Sequence, residues 1–182
     1  MEVVTRVAEQ DRTDLFASAV AGDEVAFRRI IVGHHDDMRR VCLAISGDHG
    51  IAEEATQAAW LIAWKKIDKV HGPEQLRPWL VSVAANEAKK LMSRRRRRAE
   101  FETTDEASSE PGGIDPATGV AEIDLDAAMS RLDPDDRVLL AMRYVAGFDS
   151  NELAKATGIS PSGTRSRIER ALNQLRKDLS DG

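Results

Sequence analysis

Apolar positions recur every three or four residues through most of this chain, the spacing that lines one face of an α-helix. Behind a cap at Asp23, the residues Phe27, Ile30 or Ile31, His34 or His35, Met38 and Val41 predict a helix over 24–45. Ser46, Gly47, Asp48, His49 and Gly50 read as a turn. Ala55, Ala59, Ile62 and Ala63 mark a second helix over about 51–67, and Lys69, Val70, His71, Gly72 and Pro73 a loop. A third helix starts at Gln75 or Pro78 and runs to Arg98, with Leu76, Leu80, Val83, Ala84, Ala88 and Leu91 on its buried face. Alternating β-branched runs are absent, so residues 11–98 read as a small all-α bundle.

Residues 122–180 predict a second helical unit. Asp133, Pro134, Asp135 and Asp136 combine a cap, a proline suited to the first helical position and acids at the positive end of the helix dipole. That helix passes through Val138, Leu139, Met142 and Tyr144 and ends near Gly147. Asp149 or Ser150 then caps a short helix, with Glu152 where a capping box puts its reciprocal acceptor. Leu153 and Ala154 face inward, and Gly158 supplies a tight turn. Ser160 and Pro161 restart a helix whose apolar residues are Ile168, Ala171, Leu172 and Leu175, and which Arg165, Arg167, Arg170, Arg176 and Lys177 make basic. A short helix, a glycine turn and a basic helix are the parts of a major-groove reader.

The segment 99–121 reads as a flexible acidic linker: Glu, Asp, Ser, Thr, Pro and Gly dominate, with few core-forming residues. Charge separates along the chain. The net charge is −5, yet base concentrates in Arg94, Arg95, Arg96, Arg97 and Arg98 and in the last helix. A chain acidic overall can still present two cationic faces to nucleic acid. The single cysteine, Cys42, excludes a disulfide framework. No apolar run reaches the roughly 20 residues that cross a bilayer, and the first residues are polar and acidic, so a cytoplasmic protein without membrane insertion is expected. His34, His35, His49, His71 and Cys42 lack ligand spacing, and neither a phosphate-binding glycine loop nor a nucleophile elbow is present. No metal, no cofactor and no enzymatic activity are expected.

Three segments together resemble the extracytoplasmic-function (ECF) sigma factors of bacterial RNA polymerase. The segment 52–64 (AEEATQAAWLIAW) is similar to that family's polymerase-binding helix. The segment 77–86 (RPWLVSVAAN) with the arginine run is similar to its −10 segment, and 147–171 to its −35 reader. The resemblance implies an all-α protein of two small domains. Residues 11–98 correspond to sigma region 2 and residues 122–180 to the region 4 helix-turn-helix, joined by the linker 99–121. It implies core RNA polymerase and promoter DNA as partners, with an anti-sigma factor as a further one. Two departures stand out: Ala58 replaces a common acid, and Ser162 and Gly163 occupy the places of a usual Gly-Thr pair.

On that resemblance Arg165, Ser166 and Glu169 match base-facing positions, as arginine pairs with guanine and a carboxylate accepts from cytosine. Ser162 and Thr164 join them on the −35 reader, while Ser160, Lys155, Arg167 and Arg170 are assigned to phosphates. Lys69, Val70, His71 and Asn86 match the site that receives an unstacked −10 base, and the five arginines continue it along the backbone. Glu53, Glu54, Gln57, Trp60 and Trp64 make up the polymerase-binding set, and Trp79 is read as core. A stand-alone helix-turn-helix regulator is the alternative, although no heptad stripe offers it a dimer interface.

Overall fold

The computed structural model describes residues 2–102 and 120–180, and its described residues are helical apart from short turns. Helices α1 (Glu2–Val20), α2 (Glu24–Ser46), α3 (His49–Lys66) and α4 (Pro73–Glu102) form the first half, with a short 3-10 turn at Ile67–Lys69. Helices α5 (Val120–Arg131), α6 (Pro134–Leu140), α7 (Ser150–Thr157) and α8 (Pro161–Ser180) form the second.

Local chemistry sets the helix ends. Asp23 Oδ1 accepts from the Val25 and Ala26 amides at 2.8 and 3.2 Å and starts α2. Gly47 closes that helix in the left-handed region, its amide donating to the Leu43 carbonyl at 2.8 Å. Asp48 caps α3 through the Ile51 amide. Ala52, Ala55, Ala59 and Ala63 of α3 and Leu80, Ala84, Ala85 and Ala88 of α4 are all buried, and the two helices pack together. Such small residues let the helices approach closely, and Met38, Val41 and Ile45 of α2 fill the remaining space. Cys42 lies wholly buried; burial pushes its thiol up to about 11, so it is an inert core residue.

The sequence reading differs from the structure at several boundaries. Helix α1 begins well before residue 11, and α5 has no counterpart in it. Helix α4 starts at Pro73; Pro78 sits in the second turn, where its missing amide removes only one ladder hydrogen bond. That helix also continues through 99–102, which were assigned to the linker, and α5 begins at Val120. The rest of the linker, 103–119, lies outside the described residues. Helix α6 ends at Leu140, and the chain widens into a π turn at Ala141–Val145, the Ala146 amide reaching the Ala141 carbonyl at 3.1 Å.

The two halves pack together, α2 and α4 against α6, the π turn and α7. Among the described residues, cations bridge them. Arg77 Nη2 donates to the Ala146 carbonyl at 2.8 Å, Arg137 Nη1 donates to the Ile45 carbonyl at 3.4 Å, and Lys89 pairs with Asp135. Arg77 also lies 6.0 Å from the centre of the Phe148 ring, which is wholly buried.

Candidate nucleic-acid interface

The geometry of α7 and α8 follows from their caps. Asp149 Oδ1 accepts from the Asn151 and Glu152 amides at 2.7 and 2.8 Å, while Glu152 Oε2 accepts from the Asp149 amide at 2.8 Å. Asp149 rather than Ser150 is therefore the cap, and these amide bonds hold its carboxyl below the ordinary range. Gly158 turns the chain at φ +72, and its amide donates to the Ala154 carbonyl at 2.9 Å. Ser160 Oγ accepts from the Gly163 amide at 3.1 Å and starts α8. Leu153, Ile168, Ala171 and Leu175 then bury one side of the motif.

The opposite side of α8 presents Ser162, Arg165, Ser166, Glu169 and Arg170 to solvent, with Ser160 and Lys155 exposed nearby. Thr164 does not belong to this face. It is wholly buried in the stripe with Ile168 and Ala171, which withdraws it from the DNA-contact set. Arg167 is also displaced from its expected place at a phosphate. Its guanidinium pairs with Asp136, lies 3.2 Å from Asp133 and 3.9 Å from Asp135, and keeps a quarter of its side chain exposed. Beside this exposed face a groove gathers Arg143, Tyr144, Ser150, Arg165, Glu169 and Arg176. Arg143 and Tyr144 come from the π turn; the sequence pattern reads Tyr144 only as part of a regular helix and gives no sign of Arg143, because a helix of regular pitch gives no hint of that widening.

A second cationic surface follows α4. Asn86, Lys89, Lys90, Ser93, Arg94 and Arg97 line one groove. Their spacing of three and four residues was visible in the sequence, yet Lys89, Lys90 and Ser93 were passed over in favour of the arginine run. Arg94, Arg95 and Arg98 line the neighbouring groove, and Arg96 is likewise exposed. Arg95 pairs with Asp48, the α3 cap, whose carboxyl is held below the ordinary range mainly by the Ile51 amide. In the loop after α3, Lys69 and His71 are exposed. Val70 is buried instead: its amide donates to the Ile67 carbonyl at 3.1 Å, and the turn directs its side chain into the core. It offers no stacking surface for a base.

On α3, Glu53, Glu54 and Gln57 are exposed, and Glu53 Oε1 lies 3.8 Å from Arg39 Nε. Trp60 leaves the polymerase-facing set, because it is 8% exposed, packs edge-on against Phe27 and donates from Nε1 to His35 Nδ1 at 3.2 Å. Trp64 keeps 41% of its surface, and Leu61, missed in the sequence, keeps 67%. Gln57, Leu61 and Trp64 thus continue one exposed stripe from the two acids. Trp79 is partly buried against the core, as read from the sequence.

Among the described residues no group of His, Cys, Asp and Glu has metal-binding geometry, and no helix is long and apolar enough to cross a membrane.

Comparison with known proteins places these surfaces in context. Sigma-70 region 2 matches residues 30–98, and Sigma-70, region 4 matches residues 122–175. The chain is 31% identical over 169 residues to a probable RNA polymerase sigma factor, RfaY, of Xanthomonas campestris pv. campestris, covering 88% of this chain and 42% of that one. It is 27% identical over 175 residues to the ECF RNA polymerase sigma factor SigG of Mycobacterium tuberculosis, covering 82% and 45%. The chain thus spans less than half the length of either relative. In fold it is similar to the sigma factor RpoE of Bartonella quintana, solved in complex with the anti-sigma factor NepR. The TM-score is 0.69 at 23% identity, covering 85% of this chain and 96% of that one.

Proposed function

This chain belongs to the sigma-70 family, in its ECF group, and we propose that it binds core RNA polymerase and directs promoter-specific initiation of transcription. The observation that carries this reading is the pairing, on one chain, of an exposed base-reading face on α8 with a cationic groove along α4. In it, residues 11–98 act as one domain and 122–180 as the other, joined through 99–121. Arg165, Ser162, Ser166 and Glu169 read the −35 element in the major groove. Ser160 and Arg170 hold the flanking phosphates, where a helix N-terminus favours anions.

Asn86, Lys69, His71 and the arginine run bind the opened −10 strand, with Lys89 and Lys90 added to the set. Strand opening is driven by binding, and the chain supplies no covalent chemistry. Glu53, Glu54 and Gln57, with Leu61 and Trp64, form the polymerase-facing patch, where charge sets specificity and on-rate more than affinity. The chain acts in the cytoplasm, and an anti-sigma factor that covers both units is its natural antagonist.

The two promoter elements lie about 25 base pairs apart, or about 85 Å at 3.4 Å per step. A 30-residue helix such as α4 spans only about 45 Å. The packed arrangement with Lys89 on Asp135 therefore belongs to the chain off the promoter, and its halves separate when both elements are held.

Gel filtration with core polymerase tests the reading. The chain is expected to co-elute with core and to have no stable complex with promoter DNA on its own. Stable operator binding by the chain alone, with no association with core, would instead support a stand-alone helix-turn-helix regulator.

A further inference from the structure

Resting on that reading of α8, we propose that Arg167 is a positioning residue. It pins the −35 reading helix to the first turn of α6 and does not neutralise a DNA phosphate. At about 100° per residue, Arg167 lies roughly 130° from the centre of the exposed face and roughly 75° from the centre of the buried stripe. Its side chain runs along the flank of α8 to the acids at the α6 N-terminus.

Those acids have a local reason to be there. Asp133 is the cap of α6, accepting from the Asp135 amide at 2.9 Å, and Asp135 and Asp136 occupy its first turn, where the dipole favours negative charge. Three carboxylates within one turn repel one another, and a guanidinium among them relieves that repulsion while making directed bonds to Asp136 and Asp133. The planar fork satisfies two carboxylates at once, which a lysine point charge does not.

Apart from Thr164, the residues that α8 buries, Ile168, Ala171 and Leu175, are apolar, and apolar contact is non-directional. A directed ion pair near the start of α8 fixes its rotation and tilt. Those two quantities decide whether Arg165, Ser166 and Glu169 reach base edges together. A misplacement of about 1 Å at such a site has a disproportionate effect.

The test uses the full chain assembled with core polymerase, binding a promoter fragment and a copy with a scrambled −35 element across a range of KCl. Arg167→Ala is expected to lower affinity for the intact promoter about tenfold and to leave the scrambled fragment unaffected. The slope of log affinity against log salt should stay the same. Asp136→Asn should do likewise, and the double variant should be no worse than either alone. Arg167→Lys should recover only part of the loss. Arg170→Ala serves as the comparison, its slope falling by roughly 0.9 as one phosphate contact is lost.

A fall of that size for Arg167→Ala, with Asp136→Asn behaving as wild type, would overturn the proposal. Melting of the free single and double variants reads the pair independently of DNA: additive losses would also overturn it. If wild-type protein with core shows no preference for the intact promoter, the functional reading falls and the positioning role falls with it. A coupled pair in melting would then remain as a finding about stability alone.

Discussion

Arg77 donates from Nη2 to the carbonyl oxygen of Ala146 at 2.8 Å, a bond between residues 69 positions apart in the chain. The same guanidinium donates from Nε to Asp37 at 2.9 Å. Burial pushes the Asp37 carboxyl up, but bonds from Arg77 and Arg40 outweigh it and hold the carboxyl below the ordinary range. One side chain thus anchors in α2 and reaches the turn that precedes α7. Arg77→Ala leaves the Ala146 carbonyl without that donor and should lower stability by about 1–2 kcal/mol, as for other charge-assisted bonds that are partly exposed. Denaturant titration measures this. Small-angle scattering should show a larger radius of gyration, and raised salt should enlarge it further by weakening the exposed Lys89–Asp135 pair. An unchanged radius would show that apolar packing alone holds the halves together.

Thr164 occupies a core position with a hydroxyl that has no hydrogen-bond partner. Thr164→Val keeps the shape and removes the buried polar atom, so a gain of about 1 kcal/mol is expected. Promoter affinity should stay the same, because the side chain does not reach the reading face. A loss of −35 discrimination would return Thr164 to the DNA-contact set.

His34 has a depressed affinity for its proton. Burial pushes its imidazole below the ordinary value; Asp37 works against this and Arg77 with it. Its Nδ1 is buried without a partner. The unfolded chain binds this proton more readily than the folded one, so the contribution to stability is present above the unfolded value of 6.5 and is lost as pH falls from there through the depressed folded value. The slope from this group is at most about 1.4 kcal/mol per pH unit. Urea titrations between pH 7.5 and 5.5 should show the decline, and His34→Gln should flatten it. Equal slopes in both proteins would assign the decline elsewhere.

Gly163 is explained by the cap beside it. A methyl group there would sit 3.0 Å from Ile159 Cγ2 and 3.1 Å from Ser160 Oγ, the atom that accepts from the Gly163 amide. Helix propensity alone favours Gly163→Ala by about 1 kcal/mol, and disturbance of an N-cap costs about the same. No net stabilisation is expected. A melting temperature several degrees above wild type would show that the cap yields without loss.

The caps were legible in the sequence because they close within four residues. Asp149 with Glu152, Gly158, Ser160 with Pro161, and Asp133 with Pro134 all act where their order along the chain places them. The fates of single side chains were not. Trp60 and Trp64 share a helical stripe and both pack edge-on against Phe27, yet Trp60, which also donates to His35 on another helix, is buried while Trp64 keeps 41% of its surface. Arg167 reads as one more cation on a basic helix until Asp136, 31 residues earlier, is brought against it. Periodicity marks a face; it does not say which edge of that face another helix will cover.

The direct measurement is transcription from genomic DNA with core RNA polymerase, with and without this protein, followed by mapping of the new 5′ ends. The expected result is a set of starts, dependent on the protein, that share two upstream motifs near −35 and −10 at nearly constant spacing, with Arg165→Ala relaxing one −35 position. Starts identical to those of core alone, or starts lacking any shared upstream motif, would contradict a role in promoter selection.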